Sequence, residues 1–278
     1  MLKSRRLTSK LASIIVLQML KLEVSVMYED LKKIIEESKN IVFFGGAGVS
    51  TESNIPDFRS EKGLYHAQQQ YGRSPEAMLS RSFFDADTQT FFDYYKNNLI
   101  YTDAKPNKAH LALAKLEAEG KLKAVVTQNI DGLHQLAGSK NVFELHGSVL
   151  RNNCMRCGEF YDLDYIMKEE NCKEKEGLRT LIPVCKHCGA IVKPDVVLYE
   201  ECLDDDCING AVEAIASADT LIVGGTSLVV YPAAGLIRYF RGKNLVLINK
   251  SETSYDRNAN LVINDAIGKV LGEVCGIE

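Results

Sequence analysis

Six short runs in this 278-residue chain carry the side chains able to do chemistry. Thr127-Gln128-Asn129-Ile130-Asp131-Gly132 sets two amides and a carboxylate close together, and Glu144-Leu145-His146-Gly147-Ser148 supplies a histidine before a glycine. Gly45-Gly46-Ala47-Gly48-Val49-Ser50-Thr51 is glycine-rich and leads to Pro56-Asp57-Phe58-Arg59. Cys154-x-x-Cys157 and Cys185-x-x-Cys188 form two CxxC pairs. An imidazole titrates near neutrality, so His146 suits general-base work, although a lone histidine is more often structural. Gln128, Asn129 and Asp131 can orient a cofactor's amide and ribose; standing alone they would read as turn formers and caps. A glycine run after a strand lets the backbone approach a pyrophosphate, and a following helix N-terminus favours negative charge. The third glycine of the dinucleotide fingerprint is missing, but Gly224-Gly225-Thr226-Ser227-Leu228 repeats the device with two hydroxyls. Asn249 stands at the end of a strand, where dehydrogenases often place a ribose-binding acid.

Two CxxC turns can offer four thiolates in tetrahedral array to one zinc ion. Residues 158–184 separate them, a longer linker than in most zinc ribbons. With every ligand position filled by cysteine, the metal is structural. Cys172, Cys202, Cys207 and Cys275 read as ordinary small side chains or free thiols. His187 reads as a surface residue of a knuckle, and His134 as a residue packed on a helix.

These residues need a frame that brings them together. Ile41–Phe44, Lys123–Thr127, Thr220–Val223, Leu245–Ile248 and Leu261–Ile263 are short β-branched runs, several ending at glycine. Helical spacing occupies Tyr28–Ser38, Asn107–Glu119, Asp205–Ala216 and Pro232–Arg241. Strands alternating with helices predict an α/β fold: a Rossmann-like parallel sheet with helices on both faces. Ligands of such sheets bind beyond the carboxyl ends of the strands, where the glycine loops and Gln128 fall. Residues of about 60–105 and about 150–195 interrupt the alternation. They are read as a helical insertion and a zinc module that together make a smaller lobe.

Hydrophobic content of 46% and charged content of 25% are those of an ordinary globular protein. A net charge of -4 without a basic run argues against a dedicated nucleic-acid binder. No stretch approaches the ~20 apolar residues that span a bilayer. Residues 1–26 carry Lys3, Arg5, Arg6, Lys10 and Lys21 before or around an apolar run, Leu11–Leu20, as presequences do. Val24-Ser25-Val26 is a poor cleavage pattern, so 1–26 is read as an extension outside the fold, and 27–278 as the functional domain. A reducing, cytoplasmic setting suits the cysteine usage.

In their order along the chain, these motifs resemble the sirtuins, NAD-dependent protein deacylases, and most closely the bacterial deacetylase branch. The resemblance runs from about Met27 to the C-terminus. It implies that NAD is the co-substrate, bound between the Rossmann-like domain and the zinc lobe, with acetyl-lysine proteins as partners. The acyl oxygen would attack the ribose carbon bearing nicotinamide, His146 would act as general base on a ribose hydroxyl, and lysine and acyl-ADP-ribose would leave. By motif position Ala47, Thr51, Phe58 and Arg59 would line the NAD pocket. Gln128 would hold ribose, while Asn129, a second catalytic candidate, would shape the nicotinamide pocket with Ile130 and Asp131. Thr226, Ser227, Asn249 and Ala266 would hold the adenosine half. Val196, Val197 and Tyr199 would pair with the substrate backbone as an added strand. Phe58, on a mobile loop, could exclude water while the bond to nicotinamide breaks.

Two departures from the family pattern carry expectations. Sirtuins that prefer succinyl or malonyl groups have Tyr-x-x-Arg after the Phe-Arg motif; here Tyr65 is followed by Gln68, and Tyr71 by Ser74. A neutral acyl group is therefore expected. The usual Phe/Tyr-Gly-Glu reads Tyr199-Glu200-Glu201, which would add a charge beside the peptide cleft. Competing functions are a mono-ADP-ribosyltransferase or NAD hydrolase sharing the NAD site, a non-catalytic NAD or ADP-ribose module, and a zinc-ribbon nucleic-acid adaptor. His146, Asn129 and Asp131 argue against the module. Glu169, Glu170, Glu174 and Glu176 offset the lysines that an adaptor would need.

Overall fold

The computed structural model describes residues 25–57 and 68–278. Phe58, Arg59, Tyr65 and nearly all of the 1–26 extension lie outside the described residues. Helix α1 covers 25–37 and precedes β1, Ile41–Gly45. The chain returns as short helices α2 (Pro75–Met78), α3 (Arg81–Ala86) and α4 (Thr88–Asn98), then α5 (Lys108–Ala118) and β2 (Leu122–Thr127). Helix α6 (Leu133–Ala137) leads to β3 (Val142–Glu144), β4 (Gly147–Cys154), β5 (Phe160–Asp162) and α7 (Leu163–Met167). A hairpin of β6 (Cys172–Lys175) and β7 (Leu178–Pro183) precedes β8 (Val192–Val196). Helix α8 (Asp205–Ser217), β9 (Thr220–Gly224), β10 (Asn244–Ile248), β11 (Leu261–Ile263) and α9 (Ile267–Val274) complete the order.

Six strands form one parallel sheet in the order β11-β10-β9-β1-β2-β3. Taken in chain order, this is the Rossmann arrangement, with its switch point between β1 and β9. Alternate strand residues point to opposite faces, and both faces are covered. Ile41 and Phe43 pack against α1, α5 and α9, while Val42 and Phe44 pack towards α8. Each fully buried large apolar side chain contributes about 2–3 kcal/mol, which explains why these strands read as continuous β-branched and aromatic runs.

The insertion and the cysteine module share a separate core. Phe84, Phe91, Phe92 and Tyr95 of α3 and α4 pack with Tyr161, Ile166, Val192 and Val196. The sequence pattern placed those aromatics in a polar helical stretch; their burial follows from packing against strands that lie some 70 residues or more further along, as Phe91 and Tyr161 show.

Two local expectations are corrected. Residues 233–239 form a 3-10 helix, with Gly235 N–H bonded to Pro232 O at 2.9 Å and Phe240 N–H to Ile237 O at 3.1 Å, so the segment expected as an α-helix is wound more tightly. The glycine loop after β1 is followed by two three-residue 3-10 turns, Ala47–Val49 and Thr51–Ser53. The glycine loop thus runs into short 3-10 turns and not directly into an α-helix. No described helix is long and apolar enough to cross a membrane.

Candidate active site

The carboxyl ends of β1, β2 and β9 open onto a cavity of about 500 Å³, closed on the other side by the smaller lobe. Ala47, Gln128, Asn129, Ile130, Asp131, His146, Thr226 and Ser227 all line it, as do Val196, Val197 and Tyr199. Residues far apart in sequence are brought together by strand pairing: Gly45 lies beside Thr127 on β2 and Gly224 on β9.

His146 sits in the turn between β3 and β4. Its Nδ1 lies 2.9 Å from the main-chain oxygen of Gln128. A carbonyl oxygen only accepts, so Nδ1 carries the proton and Nε2 keeps its lone pair. Gly147 must be glycine: its φ is +71°, and a Cβ would lie 1.8 Å from the carbonyl oxygen of Asp195. That close approach sets β8 directly beside the histidine, and Val197 N–H donates to His146 O at 3.0 Å.

Ser50, part of the glycine-loop motif but given no role from sequence, joins two of the candidates. Its hydroxyl donates to Asp131 Oδ2 at 2.6 Å and accepts from Asn129 Nδ2 at 3.0 Å. Asp131 Oδ1 also accepts from Leu133 N–H at 2.9 Å. Gln128 Nε2 donates to Thr226 Oγ1 at 3.1 Å, so the two strand ends are cross-linked above the cavity floor. The glycine loops pack on each other: Gly48 N–H donates to Gly225 O at 2.8 Å, and a Cβ on Gly48 would meet Gly225 Cα at 2.7 Å. Glycine at 48 and 225 thus allows backbone-to-backbone contact of two loops, a demand separate from any phosphate.

Other expectations shift. Thr51, Asn249 and Ala266 do not line the cavity among its described residues. Thr51 Oγ1 donates to Gly48 O at 2.9 Å, and Asn249 Oδ1 accepts from Thr226 N–H at 2.9 Å. Asn249 Oδ1 therefore braces the Thr226 loop while its buried Nδ2 has no hydrogen-bond partner among the described residues, and Ala266 caps α9. Val196, Val197 and Tyr199 are tied into the fold on one side, while β8 stands at the edge of the β5-β4-β8 sheet among the described residues. Val196 pairs with Gly147, Val197 N–H serves His146, and Tyr199 exchanges bonds with Leu79 O (3.0 Å) and Arg81 N–H (2.9 Å). Glu200 lines the rim, but its charge does not point freely at the cleft. Its carboxylate accepts from Ser82 N–H at 2.8 Å and Ser82 Oγ at 3.0 Å, at the first turn of α3. Favourable placement of an anion there accounts for a non-glycine residue at φ +78°. Leu79, Asn98, Leu99, Tyr101, Val230 and Tyr231 also line the cavity and carry no signal in the sequence.

The four CxxC cysteines converge, their sulfurs all within 4.8 Å of one another. Cys154–Cys188, Cys157–Cys185 and Cys157–Cys188 sulfur pairs are 3.4, 3.6 and 3.7 Å apart. Zinc–sulfur bonds of about 2.3 Å in a tetrahedron give edges of about 3.8 Å, so the cage fits one zinc ion. Backbone N–H groups of Cys157 and His187 point at Cys154 and Cys185 sulfurs at 3.5 and 3.4 Å, as suits thiolates. His187 is exposed and faces Glu159 at 3.4 Å rather than the cage. Cys172, Cys202, Cys207 and Cys275 are free thiols.

Comparison with known proteins settles the ancestry. Residues 46–232, more than half of the chain, match the Sir2 family. The chain belongs to the Sir2 family. A Clostridium acetobutylicum protein named NAD-dependent protein deacetylase is 65% identical over 245 residues, covering 88% of this chain and 96% of that one. A Clostridium perfringens protein of the same name is 64% identical with the same coverage. Among solved structures, one described as a Sir2 homolog–NAD complex aligns with a TM-score of 0.75 at 36% identity, covering 89% of this chain and 92% of that one. Another, described as Sir2 bound to acetylated peptide, aligns with a TM-score of 0.75 at 34% identity, covering 90% and 99%.

Behind the cavity this Sir2-family chain buries two further histidines. His110 and His134 stack edge-on with ring centroids 4.7 Å apart. Burial lowers His110 to about 4, against the pull of Asp131, and lowers His134 to about 3, with His110 adding to the effect. Both are neutral near pH 7. His110 Nδ1 accepts from Asn107 N–H at 3.2 Å, completing a capping box, and Asn107 Nδ2 donates to Val49 O at 2.7 Å. The cap of α5 thereby props the glycine loop.

Proposed function

We propose that this chain is an NAD-dependent protein lysine deacetylase that passes the acetyl group to ADP-ribose and releases nicotinamide. The observation that carries the reading is His146, held with Nδ1 on Gln128 O and Nε2 as proton acceptor, in the wall of a cavity ringed by Gln128, Asn129, Asp131 and Thr226. NAD, when bound, supplies an electrophilic ribose carbon and nicotinamide as leaving group. Nε2 of His146 takes the proton of a ribose hydroxyl, and the imidazolium is stabilised through Nδ1–H on the Gln128 carbonyl. Ser50 fixes Asn129 and Asp131 so that amide and carboxylate reach the nicotinamide end without reorganising. Thr226 and Ser227 offer hydroxyls to the adenosine half, and the cysteine cage holds one structural zinc ion that stiffens the lobe facing the cavity.

The acyl group is neutral. No described residue lining the cavity is a lysine or arginine, whereas Asp57, Asp131, Glu200 and Glu201 are acidic. A succinyl carboxylate would enter that field without a partner. The acceptors are acetyl-lysine-bearing proteins, in a cytoplasmic setting.

Mass spectrometry of the protein incubated with NAD and acetyl-lysine or succinyl-lysine peptides tests this. Deacetylated peptide with equimolar nicotinamide and acetyl-ADP-ribose is expected, with the acetyl peptide preferred. Nicotinamide without deacylation would replace this reading with NAD hydrolysis or ADP-ribosyl transfer.

A further inference from the structure

Arg151 touches both lobes next to His146. Its Nη1 donates to Glu144 Oε2 at 2.6 Å and its Nε to Asp195 Oδ2 at 2.8 Å. Glu144 ends β3, pairs with Thr127 and lies two residues before His146. Asp195 lies in β8, two residues before Val197, whose N–H donates to His146 O. The guanidinium therefore closes a ring of covalent and hydrogen bonds around the His146 turn.

The strand is shaped for this contact. Ser148 pairs with Asp195 and Asn152 with Pro194, so residues 149–151 of β4 stand opposite no residue of β8. Bulges beside active sites re-aim side chains, and here the shift turns Arg151 to span both carboxylates. The Glu144 side chain is only 9% exposed, so its charge is held by this one arginine rather than by solvent. Asp195 and Arg151 are each 42% exposed, so the second leg is a geometric tie more than a source of stability.

We propose that Arg151 is a positioning residue for His146, fixing both ends of the turn that carries the catalytic imidazole. The proposal rests on the deacetylase reading. Loosening the turn displaces Nε2 from the ribose hydroxyl, and a misplacement of about 1 Å costs about 100-fold in rate. Nicotinamide release precedes the step that needs the base, so that step is spared. Lysine cannot span both acceptors in the planar fork that arginine provides.

The test measures two activities on the zinc-loaded full chain: deacetylation of an acetyl-lysine peptide, and exchange of labelled nicotinamide into NAD in the presence of that peptide. Arg151→Ala, Arg151→Lys and Asp195→Asn are compared with the unaltered protein, with melting curves alongside. Arg151→Ala is expected to lower deacetylation kcat by about 10- to 100-fold and exchange by less than about threefold. Arg151→Lys and Asp195→Asn are expected to show the same imbalance to a smaller degree. They carry the test if Arg151→Ala does not fold. Proportionate losses in both activities, or no loss, would overturn the proposal. An unaltered protein lacking both activities would instead defeat the deacetylase reading on which it stands.

Discussion

Nδ1 of His146 is bonded at 2.9 Å to the main-chain oxygen of Gln128. In many hydrolases a carboxylate orients the catalytic imidazole, and its loss changes the tautomer. Here the acceptor cannot be removed by substitution or protonated. The tautomer is set by the register of β2 against β1, since Gln128 N–H in turn donates to Gly45 O at 3.0 Å. Fold and base are thereby joined in one hydrogen-bonded row.

Ser50→Ala removes the hydroxyl between Asp131 and Asn129. A carboxylate that loses a charge-assisted bond in a half-buried site costs about 1–3 kcal/mol. Steady-state kinetics should show kcat/KM for NAD lowered by about tenfold or more, alongside a fall in melting temperature of a few degrees. An unaltered NAD dependence would show that the Ser50 link has no part in the site.

Glu200 offers a test of strain against tethering. Its φ of +78° costs an L-residue about 1–2 kcal/mol, offset by the two bonds to Ser82. Glu200→Ala loses the bonds and keeps the strain; Glu200→Gly loses both. Urea melts should place the glycine variant about 1 kcal/mol above the alanine variant. Equal stabilities would mean that the left-handed backbone is not strained at this joint.

His110 and His134 make stability pH-dependent. An unfolded histidine binds a proton below about 6.5, whereas these two stay neutral until about 4 and about 3 in the folded state. The unfolded state therefore holds more protons in that window, and stability falls as pH drops below about 6.5, by roughly 1.4 kcal/mol per unit for each histidine. Between pH 7 and pH 5, His134→Leu should lose about 2 kcal/mol less stability than the unaltered protein. Parallel losses would mean that His134 is protonated in the fold.

Removing zinc should cost the small lobe its order, because Cys185 belongs to both the cysteine cage and the aromatic core, and Tyr161 of that core donates its hydroxyl to the Cys185 sulfur. After chelation and verified metal loss, limited proteolysis should cut within 150–195 before it cuts the sheet, and deacetylation should fall. Resistance to proteolysis in metal-free protein would show that the aromatic core alone holds the lobe.

What could be read from sequence followed from local chemistry. Continuous runs such as Ile41–Phe44 had no other economical place than a strand covered on both faces, and the CxxC pairs name their own geometry. Ser50 was within reach, as a hydroxyl closing the glycine loop ahead of Thr51. Leu79, Asn98 and Tyr101 were not, since they reach the cavity only because Phe84, Phe91 and Phe92 dock on the cysteine module. Arg151 was hidden for a similar reason: its partners depend on a bulge in β4 that no spacing in the chain announces. Asn249 was placed at the correct strand end, yet whether its amide faces ligand or Thr226 depends on the turn of a neighbouring loop.

The central claim is that His146 supplies the base. Single-turnover deacetylation by His146→Ala, with NAD and an acetyl-lysine peptide at saturation, tests it directly. A fall of about 100- to 10,000-fold is predicted, as for loss of a positioned general base, with melting and NAD binding retained. Undiminished turnover in a folded, NAD-bound variant would contradict the account.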